Sequence, residues 1–359
     1  MQTSIYRCLL LCTLILGLTS TAWAAERSRK ISKQFDVSAS DKLAIDNRYG
    51  KVHVNTTAQG KITVDVNIIV RDGDADDLQK KLDRVKINIE RSTGRIYFGT
   101  EIDRSEGFFE RMLNWAEEKT NQLEVNYTVN MPAQNPLEIE NQFGDVYLAD
   151  FHGPLQLEVK YGTLRTERIT SKEAYVDLSF GAGEIREMQQ GKLDVKYSKM
   201  ELEKCGTLQL DNSYSDLTLG TADQLNLDSR YGSVAIDEAH ALTADIRYCG
   251  FSLGKLTQRL ESDISYCPKF EIDHIAPGVE RIAAEGEFSS IRLRFAPEAA
   301  GQFDVDIDYG NLRHSGLNLN FNERIEQNHS LKARGTFGGQ SKNKSNITVR
   351  SRYGDVRLE

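Results

Sequence analysis

An aromatic residue followed by a small one returns at a nearly fixed interval through most of the chain. It falls at Phe143, Tyr161, Phe180, Tyr197, Tyr214, Tyr231, Tyr248, Tyr266, Phe288, Tyr309 and Tyr353, with an earlier copy at Tyr49. From Phe143 the steps are 18, 19, 17, 17, 17, 17, 18, 22, 21 and then 44 residues. Around each aromatic the phase of the other residues is constant. An apolar residue lies four positions before it, as at Ile45, Ile139, Leu157, Val176, Leu193 and Leu210. Others lie three and five positions after it, as at Val52 and Val54, Val146 and Leu148, or Leu217 and Leu219. The residue directly after it is Gly, Ser or Cys in every copy.

Alternation with a period of two marks a strand, and a one-residue slip at the small residue marks a bend between two strands. A repeat near 17 residues is too short for a strand and a helix but fits one coil of a β-solenoid. One coil cannot bury its apolar side alone; coils stacked about 4.8 Å apart share a core and pair their backbones. An antiparallel sandwich also gives short, evenly spaced strands, but it does not require one residue type at one phase in ten successive units. The expected fold is therefore all-β, a solenoid of parallel coils.

Stacking makes each phase a ladder. The aromatic ladder, from Phe143, Tyr161, Phe180 and Tyr197 through Tyr214, Tyr231, Tyr248 and Tyr266, is read as structural. The alternation sets its rings inward or at a corner. Three positions before each ring stands an acid: Asp46, Glu140, Glu158, Asp177, Asp194, Asp211, Asp228, Asp245, Asp263, Glu285 and Asp306, broken only by Arg350. That phase faces solvent, and like charges about 5 Å apart repel by roughly 1 kcal/mol in water. Arg48, Lys160, Lys196, Arg230 and Arg247, two residues on, offset part of this row, whereas Glu287 and Asp308 hold that phase near the C-terminus. The acidic row is either a solvated face that discourages edge-to-edge aggregation or a cation or ligand track. In the second case Asp194, Asp211, Asp228 and Asp245 belong to it, and Asp263, Glu285, Asp306 and Asp308 are its least compensated part. Oxygen-rich clusters suit Ca²⁺, the one cofactor the sequence admits, although a flat row lacks the turn and carbonyls of a dedicated calcium loop.

Before the main array the pattern breaks. Residues 1–24 carry Arg7, an apolar run over Cys8–Leu18 and Ala22-Trp23-Ala24, the signature of a signal peptide cut after Ala24. About 11 apolar residues are too few to span a bilayer. Residues 25–42 are polar and read as a flexible lead-in. The span 43–136 holds the first copy and a strand-helix capping region, with helices expected over Ala75–Val85 and over Arg104–Thr120, the latter carrying Phe108 and Trp115. Residues 137–359 hold the repeats, and Leu317–Asn346, rich in Asn, Ser and Gly, reads as a loop or irregular coil.

A net charge of −8 argues against a general nucleic-acid binder, which needs a basic face. Beyond the leader three cysteines remain. Cys249 and Cys267 share a phase in adjacent coils, within the Cα range of a disulfide, so either a bridge or two free thiols fits; Cys205 has no phase partner. The six histidines fall at mixed phases, none spaced as a metal pair, and no catalytic motif is present. The expected protein is not an enzyme.

The unit apolar-x-x-x-[YF]-G-x-[VL]-x-[VLI], as in IDNRYGKVHV, IENQFGDVYL, LDSRYGSVAI and VRSRYGDVRL, resembles the bacterial "putative adhesin" families of unknown function, and so does the order of parts. The resemblance implies a right-handed, single-stranded parallel β-helix similar to the pectin-lyase fold. It implies export in Gram-negative bacteria of Bacteroidetes type, to the periplasm, the outer-membrane surface or the outside. The expected function is non-enzymatic, adhesin-like binding of an envelope or surface protein or glycan. A carbohydrate-binding or carbohydrate-active β-helix, and a structural or signalling component of the envelope, are the alternatives.

Overall fold

A computed structural model of the chain describes residues 25–72, 75–102, 123–339 and 345–359. The leader at 1–24 and the expected helix with Phe108 and Trp115 lie outside the described residues. The protein is all-β, its strands joining one open sheet, and it divides into two compact units.

Among the described residues the smaller unit takes 25–30, 67–72, 75–86, 101–102 and 123–124. Its helix, Ala75–Asp83, turns Leu78 and Leu82 inward and places Lys80 and Lys81 in its last turn, where cations suit the helix dipole. Arg71 pairs with Glu26 at 2.8 Å and with Glu124. The lead-in is no flexible segment: Ala25–Asp36 is a strand. Its polar composition hid this.

The larger unit, 31–66, 87–100 and 125–359, contains the repeats. Successive copies pair in parallel with every phase in register. Leu157 lies beside Ile139 on one side and Val176 on the other, and Val176 beside Leu193, then Leu210. The apolar phases are the core: Ile139, Leu157, Val176, Leu193 and Leu210 are fully buried. The first copy joins the same stack. Its strand Lys42–Arg48 lies between Arg95–Ile102 and Leu137–Gln142, and Val52–Thr57 lies between Leu123–Pro132 and Val146–Leu148.

At the C-terminal end stacking order departs from chain order. The last copy, Ser345–Arg352, is inserted between Arg281–Glu287 and Gly301–Asp308, parallel to both. Val356–Leu358 is likewise inserted between Ile291–Phe295 and Leu312–His314. The stretch read as loop or coil is a hairpin of Leu319–Gln327 and Ser330–Phe337, and its second strand runs antiparallel along Gly301–Asp308. Alternating apolar residues, Leu331, Ala333 and Phe337, are buried on one face of that strand.

Each corner is built the same way. The aromatic residue takes a left-handed backbone, with φ between 50° and 62° from Tyr49 to Tyr353, a conformation that costs an L residue roughly 1–2 kcal/mol. The chain then passes so close to the neighbouring copy that a Cβ on Gly144 would lie 1.9 Å from the Gly50 carbonyl oxygen, and one on Gly162 2.0 Å from that of Gly144. Where serine replaces glycine, its hydroxyl ties two copies together. Ser198 N–H donates to Ser215 Oγ (3.0 Å), and Ser215 Oγ donates to the Ser213 carbonyl (2.8 Å).

Buried asparagines hold other corners from inside. Asn141 Nδ2 donates to the carbonyls of Gly144 (2.8 Å) and Gly50 (3.2 Å), and Asn47 Nδ2 to Asn141 Oδ1 (3.0 Å) and the Val125 carbonyl (3.0 Å). Such groups are costly unless satisfied, and here each amide meets corner carbonyls that the sheet leaves open.

Gly144→Ala is expected to destabilise the protein by at least about 2 kcal/mol, since backbone rather than a yielding side chain blocks the methyl. Gly250→Ala, where a Cβ meets nothing within 4 Å, is expected to stay within about 0.5 kcal/mol. Urea unfolding of both variants checks this; equal midpoints would refute the close approach at the corner.

Candidate functional site

The left-handed corner throws the aromatic side chain outward. Of the two positions the sequence allowed, inward or at a corner, the rings take the corner and not the core. Phe143, Tyr161, Phe180, Tyr197, Tyr214, Tyr231, Tyr248, Tyr266, Phe288, Tyr309 and Tyr353 are each 41–57% exposed. Alternation along a strand does not carry through a residue with positive φ, so the sequence pattern could not choose between the two.

The rings still form a ladder. From Tyr49 to Tyr309 twelve rings stack in one line, with centroids 4.6–5.2 Å apart and planes within 4–14°. Tyr353 takes its place between Phe288 and Tyr309, because the last copy is inserted there. His329 stacks on Tyr309 at 5.6 Å. Eleven steps at about 4.8 Å make an apolar stripe about 50 Å long. Stacking covers the faces of the interior rings and leaves edges and hydroxyls outward. A sugar stacks on an open face, so this arrangement disfavours the carbohydrate use of the ladder.

Beside the stripe run the charged rows. Glu140, Glu158, Asp177, Asp194 and Asp211 are successive register partners. Their compensation is local. Lys192 bridges Asp194 (3.0 Å) and Asp211 (2.9 Å), and both hold its ammonium above the usual lysine range. Tyr175 donates to Asp194 at 3.0 Å, and burial, then this bond, pushes its hydroxyl up to about 12. Lys196 pairs with Asp177 at 3.2 Å, Arg230 with Asp228 at 2.9 Å and Arg247 with Asp245.

The sequence placed the least compensated acids at Asp263, Glu285, Asp306 and Asp308. The inserted copy brings arginines into register beside Glu285, Asp306 and Asp308, while Asp263 keeps Glu285 as its neighbour, and among the described residues only Asp306 of the four makes an ion pair. Arg350 is the register partner of both Glu285 and Asp306, and Arg352 of both Glu287 and Asp308. Lys332 lies 3.9 Å from Asp306. Arg350 also donates to Asp304 at 3.0 Å, and this bond chiefly holds the Asp304 carboxyl below its usual range. A shallow hollow of about 590 Å³ lies over these rows. The residue that breaks the acidic pattern in the sequence is thus the cation that interrupts the row in space. Among the described residues no group of three or more His, Cys, Asp or Glu side chains is arranged to hold a metal ion.

A carboxylate under like-charge pressure lies at the other end. Glu140, on the exposed face, is pushed above the usual range by partial loss of solvent and then by Glu158 and Asp46 on either side.

Cys249 and Cys267 are not bridged; with Cys205 they are free, buried thiols. Cys249 Sγ donates to the Arg247 carbonyl and Cys267 Sγ to the Lys269 carbonyl, both at 3.1 Å, so each thiol is engaged by backbone on its own strand pair. Burial pushes Cys205 up to about 12 and Cys267 up to about 11, and a thiol so protonated is a poor nucleophile.

No family model matches the chain, and no curated protein matches it. Among solved structures, a "putative cell adhesion protein" from Clostridium sporogenes is 11% identical over 92% of this chain and 99% of its own, with a TM-score of 0.20. A "putative lipid binding protein" from Parabacteroides distasonis is 10% identical over 92% and 97%, with a TM-score of 0.37. A "putative adhesin" from Bacteroides fragilis is 9% identical over 92% and 97%, with a TM-score of 0.25. At these values the names stay with those proteins, and fold alone fixes no function.

Because Glu140 binds its proton more tightly folded than unfolded, its charge costs stability once pH rises above the folded value, and the cost disappears below the unfolded value. Glu140→Gln is expected to raise the melting midpoint at pH 7 by the equivalent of no more than about 0.5 kcal/mol. The gain should vanish as pH falls through the glutamate range. Thermal melts across pH test it; a lower midpoint at pH 7 would contradict the like-charge row.

Proposed function

We propose that this chain is an exported, non-enzymatic, adhesin-like protein, a right-handed parallel β-helix whose aromatic stripe meets a surface or envelope partner of a Gram-negative cell. The observation that carries this is the stripe. Monomeric soluble proteins rarely leave a contiguous apolar patch larger than a few hundred Å² open to water, and here eleven half-exposed rings lie in one line. The solenoid reading is supported by parallel, in-register pairing at steps of 17 to 19 residues. Handedness and adhesin character rest on the resemblance of the repeated IDNRYGKVHV unit, and export on the leader pattern at 1–24. Among the described residues no helix is long and apolar enough to cross a membrane.

Flat rows of paired charges support binding rather than catalysis. Through the middle of the array, charged side chains beside the stripe are engaged with one another along the ladder, as Lys192 is with Asp194 and Asp211. A rigid sheet that carries rings and charges at a fixed repeat suits recognition of an extended surface.

The test is retention of the mature protein on isolated cell envelopes, wild type against Tyr197→Ser, Tyr214→Ser and Tyr231→Ser combined. The variant is expected to lose at least about tenfold in retention, or about 1.4 kcal/mol, while remaining folded by circular dichroism. Undiminished retention would remove the stripe as the contact surface, and absence of wild-type retention would remove the envelope partner.

A further inference from the structure

The stripe, taken as a contact surface in the reading above, also carries the signature of a particular partner. We propose that it is covered by the same stripe of a second copy of this chain, running antiparallel.

Area is the first ground. A Tyr or Phe side chain offers about 150–250 Å², and eleven of them are 41–57% exposed, so each copy presents on the order of 1,000 Å². A standard stable interface needs about 800 Å² from each partner. The interior ring faces are already stacked, so two stripes would meet through edges and hydroxyls, a contact that aromatic edges make readily.

Charge is the second and decides the orientation. The row directly before the rings holds five charges that make no ion pair with another described residue. Arg48 and Lys160 precede the first and third rings, Tyr49 and Tyr161; Glu287, Arg352 and Asp308 precede the tenth, eleventh and twelfth, Phe288, Tyr353 and Tyr309, in stacking order, so the acids outnumber the cation at that end. Consider a two-fold axis lying in the interface, across the stripe between Tyr214 and Tyr231. It lays this row on the same row of the second copy with the order reversed. Arg48 then faces Asp308 of the partner subunit, and Lys160 faces Glu287 of the partner subunit, each pair occurring twice as in any isologous contact. Arg352 meets the neutral Gln142 of the partner subunit, and Ser179 meets Ser265 of the partner subunit. Lys196 meets Arg247 of the partner subunit, but each of these cations is already paired within its own chain, with Asp177 and Asp245. The parallel arrangement is worse. A two-fold axis along the stripe sets Arg48 against Lys51 of the partner subunit and Lys196 against Lys199 of the partner subunit, like against like, and leaves Arg352 against Asp355 of the partner subunit as its one opposite pair. Complementary charge of this kind fixes register more than raw affinity.

Sedimentation velocity of the mature protein over a concentration series tests it, on wild type, Arg48→Glu, Asp308→Lys and the two combined. Wild type is expected to form a dimer. Each single reversal should weaken association at least about tenfold, because every lost contact is lost twice, and the double variant should recover most of it. If Arg48→Glu fails to fold, Lys160→Glu with Glu287→Lys replaces the pair. A wild type that stays monomeric at every concentration overturns the proposal, as does a dimer indifferent to the single reversals or not restored by the double. A monomer that sediments with anionic phospholipid vesicles would assign the stripe to a lipid surface instead. Monomeric protein that still binds envelopes through its tyrosines would overturn the second copy alone and leave the binding function standing.

Discussion

In-register parallel pairing is the constraint on which the rest of the structure depends. Once each strand lies beside its own repeat, a phase in the sequence becomes a row in space. A leucine becomes a continuous core, an acid becomes a line of like charges, and an aromatic becomes a stack. The corner must then satisfy the same contact in every copy. The left-handed backbone at the aromatic costs roughly 1–2 kcal/mol, and ring stacking returns about 0.5–1.5 kcal/mol per pair. With about one pair per ring the two nearly cancel. The stack therefore makes the corner tolerable and contributes little net stability, which comes from the buried apolar phases and the backbone ladder.

The same pairing explains how the charged rows persist. A column of carboxylates at strand spacing needs cations within reach, and the protein supplies them in two ways. Through the middle of the stack they come from neighbouring positions on the same strand, as with Lys192, Arg230 and Arg247. At the C-terminal end they come from a change of order, since the inserted last copy sets Arg350 between Glu285 and Asp306. The insertion also keeps the stripe unbroken at Tyr353, and the hairpin beyond closes that end with antiparallel strands.

Much of this was legible in the sequence. The period, the paired strands, the inward phases such as Leu157 and Leu193, and the acidic row all follow from spacing. Three features did not, each for a physical reason. Ring direction depends on the sign of φ at the corner, which alternation does not encode; Tyr197 could have pointed inward and is half exposed. Stacking order near the C-terminus depends on long-range pairing, so Arg350 looked like the end of the acidic row and is its interruption. The hairpin over 319–337 was masked by Asn, Ser and Gly, although Leu331, Ala333 and Phe337 alternate. The buried Asn47 and Asn141 left a faint signal, polar residues at an inward phase two positions before the ring.

The step from structure to function runs through the stripe, and the stripe exists as one line only if stacking order is as described. Oxidative cross-linking of engineered cysteine pairs reads that order directly. Glu285→Cys with Arg350→Cys, and Arg350→Cys with Asp306→Cys, place sulfurs on adjacent in-register strands within disulfide reach, and both pairs should close readily. Glu285→Cys with Asp306→Cys should not, because a strand lies between them. Closure of that third pair in place of the first two would contradict the inserted last copy, and with it the continuous stripe.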